Sequence, residues 1–318
     1  MRDARRPPTI GVNLWPQDGT WARLRDAAVA ADRAGVDSVW TWDHLYAIEG
    51  EPDRPIFEGL TMLGAWAALT GRIELGLLVG ANTFRNPGLT AKAALTLDHI
   101  SGGRAWLGLG GAWFETEHRA HGLDFGSGFG ERLDRLDEAL AAITRLFAGE
   151  AVTSPANGHY AFRDLVARPL PVRGPGRLPI LVGGGGEKKT LRTVARYADA
   201  WHAFGGVERF KRKIGVLEEH CAAVGRDIGE ITFSCGPYVC IRDEPADALR
   251  ALNEALAPYG SSAAEDEDVW LGPPERMAER WRPFLELGVT LAIADLPDPY
   301  DRQTIERWPE VRRLLGGA

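Results

Sequence analysis

Short apolar runs alternate with segments of helical periodicity along the whole chain. Each run is apolar at nearly every position, which is typical of parallel strands that helices cover on the outside. Alternating strands and helices predict a parallel sheet of βα units, and eight such units are enough to close a barrel. We therefore predict one α/β domain over residues 1–318, a (β/α)8 barrel of the TIM type. The predicted strands lie at residues 10–14, 38–42, 73–79, 105–110, 180–183, 200–204, 231–241 and 289–294.

The segments between these strands carry apolar residues three and four positions apart, most regularly over residues 133–147. This spacing puts the apolar side chains on one face of a helix, which we expect to pack on the barrel. Gly35 and Gly225 follow such patterns, where a left-handed residue ends a helix. Pro87 and Pro245 stand near helix starts, where the missing N–H costs nothing. The predicted boundaries therefore agree with the periodicity.

Two segments depart from the simple repeat, and we expect both to be insertions. Residues 151–179 contain Asn157-Gly158 and several prolines, which predicts a small hairpin followed by an irregular excursion. Residues 258–274 are rich in Gly, Ser and Pro and carry four consecutive acidic residues at 265–268. We expect this second segment to be exposed and mobile.

Composition and charge narrow the class of protein without changing the predicted fold. The chain has 318 residues, of which 45% are hydrophobic and 25% charged, values ordinary for a soluble globular protein. The formal net charge of -7 offers no general attraction to a nucleic-acid backbone or to an anionic membrane. We therefore expect neither nucleic acid nor a membrane as a partner.

The sequence also predicts a cytoplasmic protein. Its longest strongly apolar stretch, residues 75–81, is far shorter than the roughly 18 residues that cross a membrane. The basic N-terminus continues into residues 9–12 without the apolar core of a signal peptide. Cys221, Cys235 and Cys240 cannot all pair, and none has metal-ligand spacing. We expect buried reduced thiols and no metal site.

In a (β/α)8 barrel, the reactive groups come from the C-terminal ends of the strands and from the loops after them. The second predicted strand ends in Asp43 and His44. His44 can give or take a proton near neutral pH, and Asp43 could orient a neighbour or bind N–H groups of a ligand. The pair alone is equally compatible with a loop histidine and a turn cap.

The third strand also ends in residues suited to a ligand. Gly80 and Ala81 permit a flat ring to approach the backbone closely, and Asn82, Thr83 and Arg85 can hydrogen-bond its heteroatoms or a phosphate. A tight βα turn capped by the following Asn-Pro dipeptide explains part of the same pattern.

The fourth strand leads into small residues and then an aromatic pair. Gly110, Gly111 and Ala112 clear space at the strand end, and Trp113 and Phe114 supply an apolar wall for a planar ligand. As a glycine pattern alone, this segment is nonspecific.

The fifth strand leads into four glycines, Gly183 to Gly186, and then a helix. Backbone N–H groups left bare at a helix N-terminus form an anion site, and Lys188, Lys189 or Arg192 could add positive charge. Strand, glycines and helix follow in the order that phosphate binding needs, so we favour that function over a merely flexible turn.

With these four strand ends in view, the chain resembles, over nearly its whole length, the bacterial luciferase-like monooxygenase superfamily of flavin and deazaflavin oxidoreductases. The motifs that carry the resemblance are more specific together, and in the family's order, than any one of them alone. They lie at residues 42–45 (Trp-Asp-His-Leu), 83–87 (Thr-Phe-Arg-Asn-Pro), 96–104 (Thr-Leu-Asp-His-Ile-Ser-Gly-Gly-Arg), 108–110 (Gly-Leu-Gly), 117–119 (Glu-His-Arg), 179–186 (Pro-Ile-Leu-Val and four glycines) and 197–201 (Tyr-Ala-Asp-Ala-Trp).

The resemblance implies an eight-stranded barrel with insertions and a ring bound at the barrel mouth. It places a non-prolyl cis peptide near Val79–Gly80, the cofactor phosphate on the four glycines, and His44 in proton transfer beside the ring, with Asp43 as its catalytic neighbour. Relatives commonly read Gly-Ala-Gly-Trp where this chain has Gly-Gly-Ala-Trp at 110–113, which affects how the ring edge is contacted. The implied cofactor-binding residues are Asp43, Val79, Gly80, Ala81, Asn82, Thr83, Gly111, Ala112, Trp113, Gly183, Gly184, Gly185, Gly186 and Glu187.

The resemblance also bears on the cofactor. FMN-dependent members usually activate oxygen, whereas members that use coenzyme F420 move only hydride, because carbon replaces the nitrogen that supports one-electron chemistry. The Asp43-His44 pair and the 83–87 motif look most like the F420-dependent branch. The anionic phosphate and glutamate tail of F420 would suit the lysines and arginine after the glycines. We therefore expect F420, with FMN as the alternative.

The working hypothesis is hydride transfer between the deazaflavin and a small organic substrate, with His44 supplying or removing the proton. One alternative is an FMN-dependent monooxygenase, and another is a non-catalytic flavin- or deazaflavin-binding protein. Aromatic residues near the predicted strand ends favour an apolar or planar substrate, and the lack of a second basic cluster disfavours a sugar phosphate. A homodimer is common in the family and among soluble proteins.

Overall fold

Parallel strands close on themselves in the computed structural model, which describes residues 7–316. The strands are β1 (Thr9–Leu14), β2 (Ser38–Thr41), β3 (Glu74–Leu77), β4 (Gly80–Ala81), β5 (Ala105–Gly110), β6 (Ile180–Gly183), β7 (Ala200–Ala203), β8 (Thr232–Cys235), β9 (Tyr238–Ile241), β10 (Val269–Gly272) and β11 (Val289–Leu296). The helices are α1 (Trp21–Ala34), α2 (Gly59–Leu69), α3 (Pro87–Ser101), α4 (Glu115–Ala120), α5 (Phe129–Phe147), α6 (Thr190–Tyr197), α7 (Val207–Val224), α8 (Pro245–Leu256), α9 (Pro274–Glu286) and α10 (Arg302–Leu314).

The barrel order is β1-β2-β3-β5-β6-β7-β8-β11, and β11 pairs in parallel with β1 to close it. The closing register runs from Thr9 opposite Leu291 to Leu14 opposite Leu296. Helices cover the outside, so each strand is buried on both faces, as its apolar composition predicts. The predicted (β/α)8 barrel is confirmed.

The region after the seventh barrel strand differs from the prediction. The single strand expected over 231–241 is interrupted at Gly236-Pro237, so β8 stays in the barrel while β9 leaves it. β9 pairs in parallel with β10, a strand that was not predicted. The expectation that 258–274 is exposed throughout was wrong, because Val269, Trp270 and Leu271 are buried. These three apolar residues directly follow the acidic run, and they form a buried strand although the segment before them is acidic.

The other irregular segment, residues 151–179, contains no helix or strand. An antiparallel bridge joins Val152 to Leu165, with a turn around Asn157-Gly158 between them. This geometry agrees with the small hairpin that the sequence suggested.

Helix ends follow the local sequence signals. Gly35 and Gly225 adopt left-handed backbone conformations and end α1 and α7. Pro87 and Pro245 lie at the starts of α3 and α8. Apolar residues of α5 over 133–147 face inward as predicted. Cys221, Cys235 and Cys240 are buried thiols that form no disulfide bond among the described residues.

Apolar side chains fill the inside of the barrel. Trp40, Leu181, Ala200, Leu291 and Ile293 form a buried cluster inside it. Because side chains alternate along each strand, the inward positions nearer the C-terminal strand ends belong to a layer above this floor. That upper layer borders the cavity at the barrel mouth. No helix within residues 7–316 is long and apolar enough to cross a membrane.

Candidate functional site

A cavity of about 600 Å³ opens at the C-terminal ends of the barrel strands. This is the end at which barrel enzymes bind their ligands. The predicted site residues that line it are Asp43, His44, Val79, Gly80, Ala81, Gly111, Ala112, Trp113, Gly183, Gly184, Gly185 and Gly186. The structure thus brings together residues that are up to 143 positions apart in the chain, from Asp43 to Gly186.

A bulge between β3 and β4 forms one wall of the cavity. The peptide bond between Leu78 and Val79 is cis, close to the position that the family resemblance implied. The Val79 side chain fills the space left by two glycines, since a Cβ on Gly110 or Gly183 would lie 2.8 or 2.9 Å from its methyl groups. Val79 therefore projects between two strand ends as a fixed apolar surface.

Asp43 supports this bulge from behind. Its buried carboxylate accepts two hydrogen bonds from the Arg85 guanidinium, at 2.6 and 2.9 Å, and one from the backbone N–H of Ala81 at 3.0 Å. Burial raises the pKa of the Asp43 carboxyl, and the bonds from Arg85 oppose that rise. Arg85 also contacts Glu58 at 2.8 Å. The bonds of Asp43 to Arg85 and to the Ala81 backbone fix the end of β2 to the bulge.

His44 is held by a buried carboxylate that had no predicted role. Glu117, on α4, accepts a hydrogen bond from the backbone N–H of Leu45 at 2.8 Å, and its Oε1 lies 3.0 Å from His44 Nδ1. A carboxylate only accepts hydrogen bonds, so Nδ1 carries the proton and Nε2 remains for the cavity. Glu117 belongs to the 117–119 motif, but only the fold shows that α4 lies against the loop after β2.

The glycine loop after β6 lies beside two cations from α7. A Cβ built on Gly185 would be 3.7 Å from Lys213 Cε and 3.9 Å from a terminal nitrogen of Arg209. Arg209 lines the cavity and is exposed, whereas Lys213 is buried and bonds Glu187 at 2.7 Å. Gly184 has φ of +120°, a conformation open mainly to glycine. This loop can bind an anion with backbone N–H groups and adjacent positive charge.

The basic residues that the local sequence suggested as partners of a phosphate do not line the cavity. Lys189 pairs with Asp134 at 2.6 Å, Lys188 is exposed, and neither lines the cavity. The Arg192 side chain does not line it either. Arg209 and Lys213 are four residues apart and so share one face of α7, a spacing that could have identified them.

Three other predicted cofactor-binding residues lie outside the cavity lining. Asn82 donates a hydrogen bond to the Tyr160 hydroxyl at 2.9 Å, and Thr83 Oγ1 lies 2.6 Å from His118 Nε2. Glu187 pairs with Lys213, which lowers the pKa of its carboxyl. In this structure Asn82 bonds the loop that carries Tyr160, Thr83 contacts α4, and Glu187 bonds α7.

The segment after β5 forms the exposed rim. Ala112 has φ of +59°, a left-handed conformation that favours glycine, at the position where the family resemblance implies a glycine. Trp113, Phe129 and Phe204 line the cavity and remain more than half exposed. Exposed aromatic side chains at a cavity mouth are suited to cover a bound ligand.

The opposite side of the cavity contains polar groups that the sequence analysis missed. Asp295 projects inward from the end of β11, and its Oδ1 accepts hydrogen bonds from Asn13 Nδ2 at 2.7 Å and Trp15 Nε1 at 2.6 Å. Burial raises the pKa of this carboxyl to about 6. His202, on β7, is buried, and burial lowers the pKa of its imidazole to about 3. Asp295 follows Leu291 and Ile293 at intervals of two, so strand alternation could have predicted its direction.

Comparison with known proteins places this barrel in a family. The chain is 33% identical over 312 residues to an F420-dependent glucose-6-phosphate dehydrogenase of Beutenbergia cavernae, an alignment covering 89% of each chain. It is 29% identical over 293 residues to a protein of the same name from Kineococcus radiotolerans, covering 87% of this chain and 83% of that one.

Among solved structures, the F420-dependent tetrahydromethanopterin reductase of Methanopyrus kandleri has the same fold. It superposes with a TM-score of 0.79 at 20% identity, covering 95% of this chain and 97% of that one. The profile described as luciferase-like monooxygenase matches residues 7–307, which is nearly the whole described chain. The chain therefore belongs to the luciferase-like monooxygenase family of oxidoreductases.

Proposed function

We propose that this protein is an F420-dependent oxidoreductase that transfers a hydride between the deazaflavin and a small organic substrate. The observation that carries the proposal is His44, which is oriented by Glu117 in the wall of a cavity that ends at the glycine loop. The relatives named as F420-dependent dehydrogenases support the choice of cofactor.

The residues of the cavity fit such a cofactor. The glycine loop offers backbone N–H groups, and Arg209 lines the same cavity beside it, where its charge also acts on the Asp268 carboxyl and can face a phosphate. Val79 and the glycines around it form an apolar wall with room for a flat ring. Glycines 183–186, Thr190 and Arg209 would hold the phosphate end, and the bulge would contact the ring.

The chain's own contribution is positioning and proton transfer. When bound, F420 supplies the carbon that accepts or donates the hydride. His44 Nε2 would take the proton from a substrate hydroxyl during oxidation, or return it to the oxygen during reduction. Glu117 holds the ring in the required tautomer and stabilises the imidazolium that forms. Asp43 fixes the bulge through its hydrogen bonds with Arg85 and Ala81. The exposed aromatic residues at the cavity mouth would exclude water.

Two alternatives make different predictions. An FMN-dependent monooxygenase would bind FMN in preference and consume oxygen with reduced flavin. A non-catalytic binding protein would bind a cofactor without turning over any substrate. The carboxylate-held histidine at the cavity wall favours a catalyst over a binding protein.

Equilibrium titration with F420 and with FMN, followed by fluorescence, tests the choice of cofactor. We expect F420 to bind and FMN to bind at least about tenfold more weakly, in keeping with the relatives named as F420-dependent dehydrogenases. A screen of alcohols with oxidised F420, and of ketones with the reduced form, then tests hydride transfer. Preference for FMN together with oxygen consumption would favour the FMN-dependent monooxygenase over the F420-dependent oxidoreductase.

Replacing Arg209 with alanine should weaken F420 binding by about ten- to a hundredfold, because a charge-assisted hydrogen bond to phosphate is lost. Arg212→Ala is the matched control, since Arg212 lies on the same helix but does not line the cavity. We expect the dissociation constant of F420 for Arg212→Ala to stay within about threefold of that for the parent protein. Equal effects of the two substitutions would show that only the general charge of α7 matters.

A further inference from the structure

Part of the cavity wall carries polar and aromatic residues to which the cofactor proposal gives no role. These residues include Trp15, Trp42, Glu49, Tyr238 and Asp295, at the ends of β1, β2, β9 and β11 and in the loop after β2. We call these five residues the acidic aromatic lobe. It shares the cavity with the glycine loop.

The two carboxylates of this lobe have no cationic partner in the described part of the chain. Both protein hydrogen bonds to Asp295 end on Oδ1, which leaves Oδ2 without a partner among residues 7–316. The side chain of Glu49 receives only the Ser261 hydroxyl, at 3.3 Å. Arg209 is the one lysine or arginine among the lining residues, and it lies at the glycine loop. The lobe is therefore negative.

Aromatic rings surround these carboxylates. Trp15 lies 4.6 Å from Trp42 and 6.1 Å from Tyr238, measured between ring centroids. The Trp15 indole N–H bonds Asp295 directly, so the acid and the rings form one unit. Aromatic faces next to carboxylates are the arrangement that binds organic ammonium groups.

His202 gives an independent indication that a ligand completes this cavity. It is only 3% exposed, and its Nδ1 lies 3.0 Å from Ser234 Oγ. Its Nε2 has no hydrogen-bond partner within the described residues, yet the side chain lines the cavity beside Gly236. A buried polar atom without a partner is costly unless a ligand or water satisfies it. The low pKa keeps this imidazole neutral, so it does not offset the carboxylates.

We propose that the substrate is an alcohol, or the corresponding carbonyl compound, that also carries an organic ammonium group bound by Asp295 and Glu49 against Trp15 and Tyr238. The inference rests on the proposed hydride-transfer function. In oxidation, the carbinol carbon would give its hydride to the deazaflavin, the hydroxyl proton would pass to His44, and a C=O bond would form while the ammonium group stays charged. The lobe would repel a phosphorylated sugar, which distinguishes this chain from the relatives named for glucose 6-phosphate.

Calorimetric titration of the F420-loaded protein with choline and with 3,3-dimethylbutan-1-ol tests the charge requirement, because the two alcohols have nearly the same shape. We expect choline to bind at least about tenfold more tightly, and Asp295→Asn with Glu49→Gln to abolish the difference. Glu51→Gln is the matched control, since Glu51 is exposed and does not line the cavity. Equal binding of the two alcohols, or a preference kept in the double variant, would overturn the proposal.

The pH dependence provides a second readout. Asp295 faces Glu49 and Tyr238, besides the uncharged donors Asn13 and Trp15, and its pKa of about 6 means that it gains its charge as pH rises through that value. Choline affinity should therefore increase between about pH 5 and pH 7 in the parent protein but not in Asp295→Asn.

F420 fluorescence, measured in the same samples, separates the proposed substrate class from the proposed cofactor. F420 binding without choline preference would refute the substrate class alone, whereas choline binding without F420 binding would refute the cofactor.

Discussion

Replacing His44 with alanine is expected to lower turnover by about 10²- to 10⁴-fold while leaving F420 affinity within about threefold of the parent. The reason is that His44 Nε2 is the proton-carrying group at the cavity wall, whereas the glycine loop and Arg209 hold the cofactor. The measurement is the rate of F420 reduction or oxidation with the substrate found in the screen, alongside a fluorescence titration of F420. Added imidazole should restore part of the lost rate, because it can replace the missing base.

The control for this substitution is His99→Ala, because His99 lies on α3, does not line the cavity and hydrogen-bonds the backbone carbonyl of Leu170 through its side chain. Its turnover should match that of the parent. If His44→Ala also kept the parental rate, His44 would have no part in the mechanism. A lost rate with no imidazole rescue and lowered F420 affinity would instead indicate a structural role.

Glu117→Gln tests the same role of His44, because the substitution removes the charge beside the imidazole without changing the shape of the side chain. The backbone N–H of Leu45 donates to Oε2, so the glutamine oxygen should occupy that position and its NH2 should face His44 Nδ1. Two donors cannot share that contact, so the histidine would take the opposite tautomer and place its proton on Nε2. We expect oxidation of an alcohol to slow nearly as much as in His44→Ala, with F420 binding unchanged.

Most of the barrel could be predicted because its signals are local. Apolar runs fixed seven of the eight barrel strands to within a few residues, and glycine and proline marked several helix ends. The remaining run, at 231–241, was wrong as a single strand, because an apolar run shows that a strand is buried but not which sheet position it occupies. β10 was missed because three apolar residues are too short a signal beside four acidic ones.

The candidate site was predictable only where its residues are adjacent in sequence. The Asp43-His44 pair and the glycine loop were both identified from strand ends, and both line the cavity. Their partners come from elsewhere in the chain, Glu117 from α4 and Arg209 from α7, and only barrel closure brings them near. Asp295 was missed because the predicted strand stopped at 294, whereas pairing with β1 extends β11 to Leu296.

Gly108→Ala should destabilise the protein by about 3 kcal/mol or more, because the added methyl group has no space in the strand. A Cβ at this position would lie 1.8 Å from the backbone carbonyl oxygen of Leu77, which cannot rotate away as a flexible side chain could. Thermal unfolding measures the effect, and we expect a midpoint lower by roughly 6 °C or more. Gly64→Ala is the control, since Gly64 lies within α2 and has open space at its Cβ. Its midpoint should be unchanged or slightly higher.

The same substitution connects the fold to the site. Leu77 is the last residue of β3 before the bulge that carries Val79, so relief of the contact requires the bulge to move away from β5. Any folded Gly108→Ala protein should therefore bind F420 at least about tenfold more weakly, since the wall that faces the ring has shifted. A variant with lower stability but parental F420 affinity would show that the bulge does not contact the cofactor. A parental unfolding midpoint would show that β3 and β5 do not approach as closely as described.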